Sequence, residues 1–307
     1  MKVKDDIPTF ALGDFMQIHR QPSDSAFGYD NLDAAYRIPG FELYSSIGLV
    51  GSVGPLRSDF YRMSITCTGG LDMQIGLEHY QHQVRTVSFT YPNQLFAKTN
   101  IRSGTFGYYM LFSRSFLDEL MPQLGFNEEF PFYAMSGVPV FRLNEQELER
   151  ILALIKHIDG ELRQTGVGKA KAVQMYLYLI LLEARRSYER QKLVAGEFLD
   201  ESSRLVSTFI RQVGLHYLAL RQVADYADLL AVTPNHLNRV VKAITGKTAS
   251  NTIRNMLLLE ARAQLRYTEK TIAEIGYYIG FSDPGAFNRF FKTMTGKTPQ
   301  NYRKMHD

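Results

Sequence analysis

The chain has 307 residues, more than one hydrophobic core usually serves, so two domains are expected. Hydrophobic residues make up 45% and charged residues 21%, the composition of an ordinary globular protein, and no stretch approaches the roughly 18–20 uncharged apolar residues that a membrane helix needs. The net charge of +4 hides an asymmetry: residues 201–307 hold 15 Lys and Arg against 8 Asp and Glu, and the remainder holds 20 against 23. A positive excess confined to one segment is what a polyanion-binding module requires.

Residues 1–6 lack the apolar core of a signal peptide. The single cysteine, Cys67, excludes an intramolecular disulfide and fits a reducing interior, so a cytoplasmic location is expected. Short β-type runs follow at 41–49, 60–66, 71–77, 84–90 and 107–112, separated by breakers such as Gly54-Pro55, Gly69-Gly70 and Pro92-Asn93. Several antiparallel strands at this spacing predict a small sandwich or barrel. Glu78, His79 and His82 form the one close His/carboxylate cluster, but His-x2-His breaks the alternation of a strand. They are read as solvated hairpin residues, with no metal or other cofactor expected. Cys67 is expected to be a small buried residue. Tyr61, Tyr80, Tyr108 and Tyr109 either line a ligand pocket or pack between strands, and packing is the expectation. From Asn144 the pattern turns helical: 145–164 places Leu148, Ile151, Leu152, Ile155 and Ile158 on one face, and 170–191 follows, rich in Leu, Ile and Tyr. A short linker is placed at 195–200.

The last ninety residues contain a repeat. Residues 223–248 read VADYADLLAVTPNHLNRVVKAITGKT and residues 272–298 read IAEIGYYIGFSDPGAFNRFFKTMTGKT. Asn238-Arg239, Lys242 and Thr245-Gly246-Lys247-Thr248 recur as Asn288-Arg289, Lys292 and Thr295-Gly296-Lys297-Thr298. Each copy parses as helix, tight turn, helix. In the second copy Gly280 supplies a positive φ for the turn, and Ser282 or Asp283 caps a helix with Pro284 in its first turn. Phe287, Phe291 and Met294 then face the core, as do Leu237, Val241 and Ile244 in the first copy. Between the copies, Ile253, Leu257, Ala261 and Leu265 step along a connecting helix that also carries Arg254, Arg262 and Arg266. The Gly-Lys-Thr triplets resemble the end of a phosphate-binding loop, but Val241 and Phe291 stand where that loop needs glycine.

What remains outward is chemically specific. Asn pairs bidentately with adenine and Arg with guanine in the major groove of DNA, so Asn235, Asn238 and Arg239, with Gly285, Asn288 and Arg289, are the candidate base-reading positions. Thr233, Lys242, Lys247, Ser282, Lys292 and Lys297 are candidates for phosphate contact. Two such helices about one DNA turn (roughly 34 Å) apart can read two successive major grooves.

Residues 201–307 resemble the DNA-binding domain of the AraC/XylS family of bacterial transcription regulators. The resemblance rests on Leu257-x3-Ala261-x3-Leu265, Ile272-Ala273-x2-Gly276, Gly280-Phe281-Ser282-Asp283, Phe287-x-Arg289-x-Phe291-Lys292, Gly296-x2-Pro299 and Tyr302-Arg303. It implies two helix-turn-helix units, double-stranded DNA and RNA polymerase as partners, and base contacts at Asn235, Asn238, Arg239, Pro284, Gly285, Asn288 and Arg289. Two departures stand out: Ala231 occupies the position of Gly280, and Pro284 and Gly285 have no side-chain donor. The order of strands then helices in the N-terminal part resembles a cupin-like sensor that binds a small-molecule effector, followed by helices for homodimerisation. The expected fold class is α+β: a cupin-like β-barrel over 1–143, dimerisation helices over 144–194, and an all-α domain over 201–307. The expected activity is regulatory and non-enzymatic. Its rivals are an effector-independent regulator with a structural barrel and a metal-dependent barrel enzyme fused to a DNA-binding domain.

Overall fold

The computed structural model describes residues 9–118, 125–134, 137–193 and 201–305; the expected linker at 195–200 lies outside them. In chain order, β1 (Thr9–Phe10) and α1 (Met16–His19) precede β2 (Phe41–Ser45), β3 (Val53–Ser58), β4 (Tyr61–Thr68) and β5 (Leu71–Ile75). Then come β6 (Glu78–His82), β7 (Thr86–Thr90), β8 (Phe96–Thr99) and β9 (Phe106–Phe112). Two short helices, α2 (Ser115–Asp118) and α3 (Phe126–Glu129), lead to β10 (Val140–Arg142) and the long helices α4 (Glu145–Leu162) and α5 (Lys169–Arg190). The remainder is helical: α6 (Glu201–His216), α7 (Val223–Leu229), α8 (Pro234–Thr245), α9 (Ala249–Tyr267), α10 (Ile272–Tyr278), α11 (Pro284–Thr295) and α12 (Pro299–Arg303). No helix among the described residues is long and apolar enough to cross a membrane.

The fold is α+β, and the strands form two five-stranded sheets, ordered β1-β3-β8-β5-β6 and β10-β7-β4-β9-β2, which contribute to one core without closing into a single ring. Five strands escape the sequence pattern: β1, β3, β6, β8 and β10. β3 contains Gly54-Pro55, read as a breaker; Pro55 has no amide donor, and the pairing with β8 shifts register between Val53 and Leu56, as a bulge does. β8 has only four residues, and β6 is a polar strand at the sheet edge.

The pleat of β4 decides what the interior contains. Alternate residues point to opposite faces, and here both faces are buried: Met63 and Ile65 on one, Arg62, Ser64 and Thr66 on the other. Cross-strand pairing sets Ser88, Ser64 and Tyr109 abreast, and Thr90, Arg62 and Leu111 abreast. The Ser64 and Ser88 hydroxyls bond each other at 2.7 Å. The face toward the second sheet is therefore polar along two neighbouring strands.

Helix α4 starts from a capping box in which Asn144 and Glu147 exchange side-chain and backbone hydrogen bonds of 2.8 Å. Its buried Ile151, Ile155, Ile158 and Leu162 pack with Val173, Leu177, Ile180, Leu181 and Ala184 of α5. Helices α6 to α12 enclose a second core built around α9, where Ile253, Leu257, Ala261 and Leu265 are all buried.

The two parts are joined through β3 and α9. The Arg57 guanidinium donates to Tyr217 and, at 3.2 Å, to Glu260, which also accepts from the Tyr217 hydroxyl. The Gly54 amide donates to the Tyr267 hydroxyl at 2.8 Å, and Arg266 donates to the Gly54 carbonyl.

Candidate nucleic-acid interface and sheet interior

Each helix-turn-helix copy is assembled from local signals. Helix α10 begins with a capping box between Thr271 and Glu274, and α7 with one between Gln222 and Asp225. The turn needs one left-handed residue, Gly280 at φ +79° in the second copy. Ala231 takes the same conformation at φ +53°, so the first turn keeps its shape despite a Cβ that makes this region unfavourable. Thr233 caps α8, accepting from the His236 amide at 3.2 Å. Asp283, not Ser282, caps α11, accepting from Ala286 at 2.8 Å. Gly276 lets α10 approach α11: a Cβ there would lie 3.1 Å from that of Phe287.

The repeated Thr-Gly-Lys-Thr segments are stitching. Thr245 and Thr295 donate back to the carbonyls of Val241 and Phe291 at 2.8 Å. Gly246 and Gly296 end their helices in left-handed conformation, and Thr248 and Thr298 cap the next ones. The Lys247 and Lys297 side chains stay exposed, the Lys297 ammonium donating to Met305 Sδ at 3.1 Å. Along α8 the buried residues are Leu237, Val240 and Val241, and along α11 Phe287, Phe290 and Phe291. Ile244, expected in the core, is 47% exposed, because Val240 completes the buried stripe one turn earlier.

The outward positions divide by what their side chains already do. Asn235, Arg239, Lys242, Lys247, Ser282, Arg289, Lys292 and Lys297 are exposed, as is Thr233, whose hydroxyl serves the cap. Gly285 and Pro284 are partly buried at the start of α11. Asn238 accepts from the Ala249 amide at 3.0 Å, tying α8 to the start of α9. In the second copy Pro299 occupies the place of Ala249 and has no N–H, so Asn288 donates to the Pro284 carbonyl at 2.9 Å instead. One outward residue is absent from the sequence reading: His236, whose Nδ1 meets the Arg239 guanidinium at 3.0 Å. It follows Asn235 directly and sits one turn before Arg239, and that spacing was the available signal.

The sequence reading anticipated little of the sheet interior beyond its tyrosines. His82, expected in solvent, is 1% exposed, with Nδ1 3.0 Å from the Thr66 hydroxyl. Burial, with Lys98 adding to it, lowers its pKa to about 3, so the ring is neutral. His79 and Glu78 on the same strand are exposed; His79 and His82 stand three apart, on opposite faces, and cannot converge on one ion. Ser64, Thr66, His82, Lys98 and Tyr109, together with apolar Leu49, Leu71, Ile101 and Phe106, line a cavity of about 180 Å³ between the sheets. Of the four tyrosines singled out above, Tyr108 and Tyr109 line this cavity. Tyr80 borders a cleft facing α6. Tyr61 packs on Phe112, Phe126 and Tyr133. Cys67 is half-buried, and burial pushes its thiol up to about 11.

Comparison with known proteins adds four likenesses. The helix-turn-helix domain profile matches residues 226–305. The HTH-type transcriptional activator RhaS of Escherichia coli O157:H7 is 22% identical over 191 residues, 62% of this chain. The chain thus spans 64% of the length of that curated relative. Among solved structures, unsaturated-fatty-acid-bound ToxT from Vibrio cholerae is 14% identical, with 87% of this chain and 96% of that one covered at a TM-score of 0.42. A regulator from Chromobacterium violaceum with an AraC-type DNA-binding domain is 24% identical, with 34% and 94% covered at a TM-score of 0.33.

Proposed function

From the premise that the C-terminal part of the chain belongs to the AraC/XylS family of helix-turn-helix regulators, we propose that the whole chain is a one-component transcription regulator. It binds double-stranded DNA through α8 and α11 and acts on promoters together with RNA polymerase. The observation that carries this reading is the pair of outward helix starts, with Asn235 and Arg239 exposed on one and Arg289 exposed beyond a partly buried Gly285 on the other, both anchored to α9. The connecting helix α9 has 19 residues, about 28 Å, a length that supports a spacing near one DNA turn between the two starts. Arg239 and Arg289 read bases alongside Asn235, and Lys242, Lys247, Lys292 and Lys297 neutralise phosphates, with Thr233 and Ser282 beside them. Asn238 and Asn288 contribute through whichever amide atoms their internal bonds leave over.

In this reading residues 1–143 sense a small effector, 144–194 carry self-association and 201–307 bind DNA, all in the bacterial cytoplasm. Met175 and Leu179, exposed one turn apart on α5, support the self-association role. The cavity between the sheets supports the effector role over a purely structural one, because Lys98, His82, Thr66 and Ser64 place a cation and polar groups in a largely apolar wall. A route for coupling also exists: Leu49, Gly51 and Val53 line the interior, while Ser52 and Gly54, in the same segment, are held by Arg266 and Tyr267 of α9. Filling the cavity shifts this segment and, with it, the helix that spaces α8 from α11.

Selection of bound sequences from random duplex DNA by the purified chain tests the proposal. Enrichment of a motif spanning two major-groove turns is the expected result. Absence of enrichment from both the full chain and residues 201–307 would overturn it.

A further inference from the structure

We propose that the cavity between the sheets binds a small organic acid, its carboxylate held by Lys98, with Arg62 adding its charge from the adjoining void, and its body by the apolar wall. The proposal rests on the effector reading of this cavity and supplies the chemistry that reading lacks.

The argument begins with charge. Arg62 is 3% and Lys98 6% exposed, and they face each other from different sheets, β4 and β8. Both lie over the ring of Phe96, the guanidinium carbon at 3.9 Å and the ammonium at 5.8 Å from its centroid. Among the described residues no carboxylate pairs with either; the buried carboxylate of Asp30 is taken by Arg20. Two like charges buried together without a counterion are costly, because the desolvation of each ion amounts to several kcal/mol even after relaxation. Burial and the neighbouring Arg62 lower the Lys98 ammonium to about 7, and burial lowers Arg62 to about 9.

The hydrogen-bond inventory points the same way. Arg62 Nη2, His82 Nε2 and His19 Nε2 are buried and have no partner among the described residues, although buried polar groups nearly always find one. They border two voids that share Leu49, Lys98 and Tyr109: the larger cavity touches His82, and a second of about 10 Å³ touches His19 and Arg62. Two cations, one from each sheet, and the His82 Nε2 edge thus converge on this interior, whereas the neutral His19 ring, whose Nδ1 donates to the Phe15 carbonyl, turns a bare Nε2 to the smaller void. A carboxylate offsets one charge of the pair and accepts a hydrogen bond from the neighbouring donors. The remaining wall, Leu49, Leu71, Ile101 and Phe106, favours an acid with a hydrocarbon body over inorganic phosphate. The volume, below the roughly 300–1,000 Å³ of drug-sized pockets, admits an acid of a few carbons and excludes a long acyl chain.

The test is thermal unfolding of the full chain at pH 7 with acetate, butyrate and hexanoate, each against its primary amide, and with inorganic phosphate. The acids, and not the amides, are expected to raise Tm in a saturable way, butyrate or hexanoate more than acetate and phosphate least. Lys98→Met is expected to weaken acid binding about a hundredfold, the scale for removing one side of a buried charge pair, and to raise the Tm of the ligand-free chain, because an unpaired buried charge is gone. That rise separates a binding role from a structural one, which would lower it. Equal shifts with acids and amides, or none with any acid, would overturn the site, as would a shift confined to phosphate. A second arm measures affinity for the selected DNA motif with and without butyrate. Acid binding that leaves DNA affinity unchanged upholds the site and removes its role as effector site.

Discussion

The two ends of the chain use positive charge in opposite ways. In the sheets, Arg62 and Lys98 are buried beside neutral histidines and have no counterion among the described residues; on α8 and α11, Arg239, Lys242, Arg289 and Lys292 stand in solvent. A buried cation is selective, because desolvation penalises every state except the one with a fitting anion. An exposed cation is permissive: it is screened by salt and suits a polyanion whose phosphates it meets in many registers. The contrast separates a site for one small molecule from a surface for a long one.

Acid separates the two ends most strongly. His82 and His19 both titrate near 3 in the folded chain, chiefly through burial, His82 facing Lys98, and His19 facing Arg62, Arg20 and Lys98. Their ordinary value is 6.5, so between pH 6.5 and 3 the unfolded chain binds more protons and stability falls as pH falls. Each ring contributes roughly 3 kcal/mol of loss by pH 4. His82→Gln is expected to remove about half of the histidine-linked loss in denaturant titrations at pH 7 and pH 4; an unchanged pH dependence would contradict the buried neutral ring.

On the exposed side the effects are smaller and fall on DNA. Arg239→Ala is expected to lose roughly 1–3 kcal/mol on the selected motif and to relax base preference, measured by fluorescence anisotropy against single-base variants. A uniform loss on every sequence would reassign Arg239 to phosphate. Lys297→Ala is expected to weaken all duplexes alike and to flatten the dependence of log affinity on log salt by about one unit.

A comparison between the two helix-turn-helix copies is sharpened by Ala231→Gly. Ala231 sits at φ +53°, so glycine is expected to stabilise the first copy by about 1 kcal/mol in denaturant unfolding. Gly280→Ala acts oppositely and more strongly, because a Cβ there meets the Arg221 guanidinium. A neutral Ala231→Gly would mean that the turn relaxes away from the left-handed region.

The C-terminal helices were legible in the sequence because their signals are local and occur twice. Caps, Pro at the first helical position, the turn glycine and the core stripe all lie within a few residues of the structure they specify. Even there, Ile244 was misplaced, since a period of 3.6 leaves either end of an apolar stripe ambiguous when Val240 can take its place. The sheet interior was illegible for the converse reason. Arg62 and Lys98 are 36 positions apart and meet only through the packing of two sheets. β4 is buried on both faces, so its alternation of Arg62, Ser64 and Thr66 with Met63 and Ile65 does not separate core from solvent. His82 lay in a strand whose other residues are mostly exposed, and only its pairing with Leu71 turns it inward.

Hydroxyl-radical and guanine-methylation footprinting of the full chain on its selected motif tests the central claim most directly, that one chain reads two successive major grooves. The account predicts two protected major-groove segments on one face of the duplex, about 10 base pairs apart, with Arg289→Ala weakening only the segment under α11. A single protected segment, unaffected by substitution in α11, would contradict it.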